Sequence, residues 1–390
     1  QRSRGLGDVY KRQTKKFIDN LREGKVSRRS FVKGMGAAGV LGLTSGLVPA
    51  TNAFAATGRA FVWGGYDDDG LFGPYVEANG SPEYSTFGDA EEGLQKLKAG
   101  FEVDVAWPCQ GEIARWVRAG VIQPLDTSRL ENWGDMFPEV RDLPSGIVNG
   151  QNYFAPVDWG DTSIVYNTDK VTWMQPGNES LYLLEDPRMK GKIGVLDSAA
   201  DSLFLMMHYL GTDIKDINQL NKAAIDQGIN KFRELRDNGN IRTFFADSAS
   251  IAEAIGNEEV WASICWNETS WETGYPMMRP VEGTMTWACG LAIATGANLD
   301  VAYDMINAAT SAETSAYLLS EWGYGHSNQK GFGSLTADEL AERGVAPNPA
   351  EHLANGAFSV MPPDDVTDYM EAQWAETVSY THLTLPTNGL

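Results

Sequence analysis

The 390-residue chain carries 31 Lys+Arg against 52 Asp+Glu, and the imbalance is concentrated: residues 1–55 hold 11 basic and 3 acidic side chains, while residues 56–390 hold 20 and 49, a net of −29. So acidic a surface excludes nucleic acid as a partner, because phosphate binding needs stripes of Lys and Arg; it is compatible with a cationic ligand, although dispersed acidity also serves solubility alone. Three cysteines, at 109, 265 and 289, cannot all pair within one chain, so one disulfide plus a free thiol and three buried thiols are both open, and no CxxC or Cys/His spacing marks a zinc site.

The ends are set apart from the fold. Residues 8–13, DVYKRQ, are what GAT-GTG-TAT-AAG-AGA-CAG encodes, a sequencing-library adapter end, and residues 378–383, VSYTHL, match the reverse strand of the same DNA in another frame. Residues 1–13 and 378–390 are therefore expected to be adapter-encoded scars. Residues 14–55 read as a twin-arginine export signal: Arg28-Arg29 ahead of Phe31, a Gly/Ala/Leu run over 34–49, and the small-x-small site Ala53-Phe54-Ala55, which predicts cleavage after Ala55. The run is too short and too glycine-rich for the roughly 20 apolar residues of a membrane span. No cysteine lies near the site for lipid attachment, so a soluble, periplasmic protein is expected.

About 320 residues remain, too many for one small core and suited to two lobes. Residues 59–64 (RAFVWG), 83–87 and 103–107 read as strands, alternating with helical spacing over 71–78, 89–99 and 111–119. That alternation means βαβ units and a largely parallel sheet. Residues 153–170, YFAPVDWGDTSIVYNTDK, read as a short extended segment bounded by breakers, where the chain crosses from one lobe to the other. The pattern then repeats: strands over 192–196, 241–245 and 260–266, helices over 201–210, 217–237 and 251–255. Residues 284–295 (TMTWACGLAIAT) read as the return crossing, followed by one or two helices over 301–320, a Gly-rich loop over 323–333 and a terminal helix over 365–377. Lobe 1 is thus expected to comprise 56–158 and 290–336, and lobe 2 to comprise 159–289 and 337–377.

Enzyme signatures fail: no GxSxG elbow, Walker A loop, GxGxxG fingerprint or HExxH occurs. His208, His326 and His352 are scattered, and a satisfied or exposed histidine is the ordinary reading of each. Neither catalytic residues nor a cofactor are expected. Aromatic residues are the stronger signal. Trp63, Trp107, Trp159, Trp266 and Trp287 fall at or just past strand ends, where open α/β sheets bind ligands. Core packing is the ordinary role of any one tryptophan; as a set, their faces suit alkyl chains and cations.

The order of features resembles the periplasmic spermidine/putrescine-binding proteins of ABC transporters, a type II two-lobed solute-binding fold. VWGGY at 62–66, DVAWPC at 104–109, PVDWGDTSIVYN at 156–167, DPRMKGKIGVLDS at 186–198 and WGYGHSN at 322–328 carry the resemblance. It implies an α/β fold with a mostly parallel sheet in each lobe and a ligand cleft between them. It further implies a cleft lined by Trp63, Tyr66, Trp266, Trp287 and Tyr324, with Asp201 as an amine-binding carboxylate. Ser198 and Cys289 stand where the family has carboxylates, and Ser359 roughly replaces a late Gln. Asp158 and Asp161, flanking Trp159, are possible substitutes, Asp161 equally a loop cap or a solvated group. Cys109, at the strand-then-Pro step, completes the candidate set with Asp158, Trp159, Ser198 and Cys289. The expected function is delivery of a polyamine or other cationic amine to an inner-membrane permease by a monomer. A twin-arginine-exported oxidoreductase and a binder of sugar, organic acid or ferric iron are the alternatives, the last disfavoured because no Tyr-Tyr dipeptide occurs.

Overall fold

The structure is a computed structural model that describes residues 57–379, Pro176 excepted. The adapter scar at 1–13, the export signal over 14–55 and nearly all of 378–390 lie outside the described residues. The strands are β1 (Arg59–Trp63), β2 (Glu83–Phe87), β3 (Val105–Ala106), β4 (Ile122–Gln123), β5 (Ile147–Val148), β6 (Gln151–Asn152), β7 (Ala155–Tyr166), β8 (Ile193–Leu196), β9 (Ile241–Phe245), β10 (Ala262–Trp266), β11 (Met285–Ala294), β12 (Gly325–His326) and β13 (Ala357–Phe358).

Eight of them run edge to edge in the order β2-β1-β3-β11-β7-β10-β8-β9. The first three pair in parallel, as do β10, β8 and β9. Between the two parallel blocks lie β7 and β11, antiparallel to each other and to the block beside each. Both blocks are built from strand–helix–strand units, as the alternating sequence pattern requires. Asp89 caps the helix Ala90–Lys98 by accepting from the Glu92 amide, and Asp247 caps Ser248–Gly256 by accepting from Ser250.

The two stretches read as crossings are the long central strands. Every residue of β7 and β11 is buried, which explains their apolar and small side chains, Asp158 and Asp161 apart. β7 is longer than the short segment expected from its flanking breakers, because β11, β10 and β12 all pair along it. The register slips between Cys289 and Gly290. There a Cβ on Gly290 would sit 2.2 Å from the Ala155 carbonyl oxygen, so only glycine lets the strands approach this closely.

Three local readings need correction. The helix expected from 217 begins at Lys222, because Asn221 caps it by accepting from the Ala223 and Ala224 amides. The loop expected over 323–333 contains β12 and a three-ten segment, Gln329–Ser334. A β5–β6 hairpin, turned by Asn149 and Gly150 at positive φ, was not anticipated.

Candidate functional site

Side chains alternate across β7, and this divides the neighbouring acids and rings between two faces. Asp158, Gly160 and Thr162 point to one side, joined there by the residues paired opposite them: Cys289, Trp287 and Met285 of β11, with Trp266 of β10 also beside Thr162. Trp159 and Asp161 point to the other.

On the first face Asp158 is 1% exposed. Its Oδ1 accepts from the Trp107 indole at 2.9 Å and its Oδ2 from the Tyr66 hydroxyl at 2.8 Å. Burial pushes the carboxyl up to about 6 against the pull of these two bonds. Rings continue outward in edge-on and tilted contacts. Tyr66 meets Trp107 at 5.4 Å and Trp322 at 4.9 Å; Trp322 stands 6.3 Å from Tyr324, and Tyr324 5.1 Å from Trp287. The Trp287 ring lies where a Cβ on Gly160 would be, and its indole nitrogen is buried without a hydrogen-bond partner. Desolvation holds the Tyr66 and Tyr324 phenols well above their ordinary range, with Asp158 adding to the first and Glu268 to the second, so both are neutral donors.

Asp201 forms a second acidic point on this face. The half-buried carboxylate accepts from Ser198 Oγ at 2.6 Å and Thr162 Oγ1 at 2.8 Å, with the Trp266 indole contributing a third bond. Desolvation raises its pKa over the opposing effect of these bonds. Ser198 in turn caps the turn Ala199–Leu203, accepting from the Asp201 amide, which fixes the carboxylate's position. Glu268, the first residue of the helix Glu268–Thr273, bonds to the Tyr324 hydroxyl and supplies a third acid. Among the described residues, no Lys or Arg pairs with Asp158 or Asp201; the donors on both are neutral.

The structure therefore gathers Tyr66, Asp158, Ser198, Asp201, Trp266, Trp287 and Tyr324 on one face. Cys109 and Cys289 are also there, but joined in a disulfide that leaves Cys265 as a buried free thiol; this settles the pairing the sequence left open and removes both sulfurs as separate ligand groups. Trp63 packs on Phe87 at 4.6 Å, apart from the ring chain. Trp159 is a correction. It is 1% exposed on the opposite face, donates to the His326 carbonyl and stacks on Phe332 and His352, so strand parity removes it from the site.

Asp161 is neither a loop cap nor solvated. It pairs with Arg279 at 2.5 Å and His352 at 2.9 Å and accepts from Thr284 and Thr286; against the upward push of burial, His352 and Arg279 hold its pKa far below the usual carboxylate range. A cavity of about 570 Å³ opens beside this pair, lined by His208, Arg279 and His352. It belongs to the face that carries Asp161, not to the ring-and-carboxylate face. His326 is a core histidine: its ring meets the Ala309 carbonyl and the Asn328 amide, and burial lowers it to about 4. Among the described residues, no group of three or more His, Cys, Asp or Glu is placed to hold a metal ion.

Sequence reasoning missed Thr162, Glu268 and Trp322 as site residues, and grouped Trp107 with the strand-end tryptophans without assigning it to the site. Trp107 carried the same strand-end signal as Trp266, and Glu268 follows that tryptophan by two residues.

The sequence matches the family of bacterial extracellular solute-binding proteins over residues 81–332. The chain belongs to this family. Members are extracytoplasmic binding components of transporters. The putrescine-binding periplasmic protein PotF of Escherichia coli is 27% identical over 286 residues, covering 68% of this chain and 75% of that protein. The spermidine/putrescine-binding periplasmic protein of E. coli is 26% identical, covering 76% and 85%. Among solved structures, a putative spermidine/putrescine ABC transporter protein from Listeria monocytogenes superposes with a TM-score of 0.70 at 23% identity, covering 84% of this chain and all of that one. The solute-binding fold here is thus the two-lobed α/β architecture, each lobe built on one parallel block. The oxidoreductase and ferric-iron alternatives gain nothing from these relatives.

Proposed function

We propose that this solute-binding protein captures a polyamine or other cationic amine between its lobes and delivers it to an inner-membrane ABC permease, acting as a monomer without catalysis. The observation that carries the reading is the pair of desolvated carboxylates, Asp158 and Asp201, held only by neutral donors, on the face where a chain of aromatic rings runs from Tyr66 to Trp287. Such carboxylates are energetically incomplete until a cation reaches them. Ring faces beside them suit the methylene chain and the ammonium groups. The names of the relatives point the same way. Tyr66, Asp158, Asp201, Trp266, Glu268, Trp287 and Tyr324 are the residues assigned to the ligand, with Ser198 positioning Asp201.

The lobes assigned to 56–158 with 290–336 and to 159–289 with 337–377 close about β7 and β11, the segments joining the parallel blocks. Export by the twin-arginine route, with cleavage after Ala55, brings the protein to the periplasm. Thermal-shift measurements against polyamines, quaternary amines, amino acids and sugars test the reading. An amine at a hundredfold excess over Kd adds about 2.7 kcal/mol of apparent stability. A shift with a sugar or acid and none with amines contradicts it.

A further inference from the structure

His208 and His352 look scattered in the sequence, yet the fold brings both to the cavity beside Asp161, together with Arg279 and Lys215. Three segments supply them. His208 lies on the helix Phe204–Tyr209 and Lys215 in the turn after it; Arg279 belongs to the run entering β11, and His352 to the helix Pro349–Ala354. The pairing of Ala357 with Met285, and a bond from the Val360 amide to the Ile214 carbonyl, hold the three segments together. Residues 56–390 carry 20 basic against 49 acidic side chains, so a cavity where two imidazoles, a guanidinium and an ammonium converge departs from the rest of the surface.

The donors here are incompletely used. Arg279 gives one guanidinium N–H to Asp161 and another to the Gly344 carbonyl, and its fork keeps further N–H groups. His352 spends Nε2 on Asp161. Among the described residues, neither the Lys215 ammonium nor the His208 ring has a hydrogen-bond or ion-pair partner. His208 Nε2 lies 2.9 Å from where a Cβ on Gly283 would stand, so glycine there, at a φ of +97°, leaves the ring its place. Two acids also line the cavity, but their oxygens turn to nearby loops. Glu282 accepts from Ser180 Oγ at 2.5 Å and from the Leu181 amide at 3.1 Å, and Asp213 accepts from the Lys215 amide at 3.1 Å.

We propose that this cavity is a second binding site, separate from the amine site, for a small organic oxyanion: a phosphate ester or a polycarboxylate. Lys215 Nζ, an N–H of the His208 ring and the free part of the Arg279 fork donate to the oxyanion. Recognition is by directed donors rather than by net charge, because Asp161, Asp213 and Glu282 offset the cations. A guanidinium fork matches the paired oxygens of a carboxylate or phosphate. The volume of about 570 Å³ is that of a small-molecule site and exceeds what a lone inorganic ion fills.

Calorimetric titration of glycerol 3-phosphate and of citrate into the protein, in chloride buffer of fixed ionic strength at pH 7, tests this. Saturable one-site binding of at least one of them, with a Kd of about 1 mM or lower, is expected. Binding of the first alone assigns the site to phosphate esters; binding of citrate alone assigns it to polycarboxylates. Lys215→Glu, at an exposed position, is expected to lose tenfold or more in that affinity, and His208→Asn severalfold. Both variants should keep the wild-type Tm measured without anion, since neither side chain has a partner to lose. Failure of both anions to saturate the wild type, or wild-type anion affinity in both variants, overturns the site. Neither result bears on the amine reading, which spermidine titration of the same preparations checks independently.

Discussion

Asp158 and Trp159 are chain neighbours that serve opposite faces of one strand: the acid accepts from Tyr66 and Trp107 on one side, while the indole donates to the His326 carbonyl on the other. Trp159→Ala is therefore expected to destabilise the protein by about 3–5 kcal/mol, the usual cost of removing a buried large aromatic, with amine affinity in the folded fraction little changed. Trp287→Ala is expected to weaken amine binding roughly 3- to 30-fold through loss of a ring face worth about 0.5–2 kcal/mol. Denaturant unfolding and calorimetry on both variants check the division.

Asp158→Asn removes a charge that burial disfavours. Its free form is expected to be as stable as wild type at pH 7.5 or more so, while amine affinity falls roughly 10- to 150-fold, the equivalent of about 1.5–3 kcal/mol for a charge-assisted bond. Thermal melts and titrations on one preparation measure both quantities.

The pH dependence follows from the same group. In the folded state the Asp158 carboxyl titrates near 6, above its unfolded value of 3.8, so the folded protein binds the extra proton between these limits. Its contribution to free-protein stability therefore rises as pH falls from about 6 towards 4, by on the order of 2–3 kcal/mol. Amine binding needs the ionised form, so affinity moves the other way, declining below pH 6. Titrations between pH 5 and 8 should show that step, flattened in Asp158→Asn. Asp161 has the opposite sign: its pKa is depressed by His352 and Arg279, so its stabilisation persists above the unfolded value and is lost only in strong acid.

Much of this arrangement was readable from the sequence. Alternating strand and helix patterns located the parallel blocks, and the apolar stretches around Trp159 and Trp287 located β7 and β11. Tyr66, Asp201 and Tyr324 were singled out by what the family resemblance implies. What could not be read depends on register or on distant partners. Trp159 and Asp158 look equally available until strand parity separates them. Asp161 looks exposed until Arg279 and His352, 118 and 191 residues away, arrive beside it. Glu268 is an ordinary acid in a helix's first turn until Tyr324 folds against it.

The cysteine pairing is of the same long-range kind. Cys109 and Cys289 close a loop of 180 residues. Thiol titration in denaturant is expected to find one reactive thiol per chain without reductant, Cys265, and three after reduction. Replacing both paired cysteines with alanine is expected to cost up to about 5 kcal/mol in the chain-entropy account of such a loop.

The most direct test of the central claim is calorimetric titration of spermidine into the wild type and into Asp158→Asn/Asp201→Asn. The account predicts saturable one-site binding to the wild type and its loss, by a hundredfold or more, in a double variant that still melts cooperatively. Undiminished binding by that variant would contradict it, because the carboxylates would then not be what holds the amine.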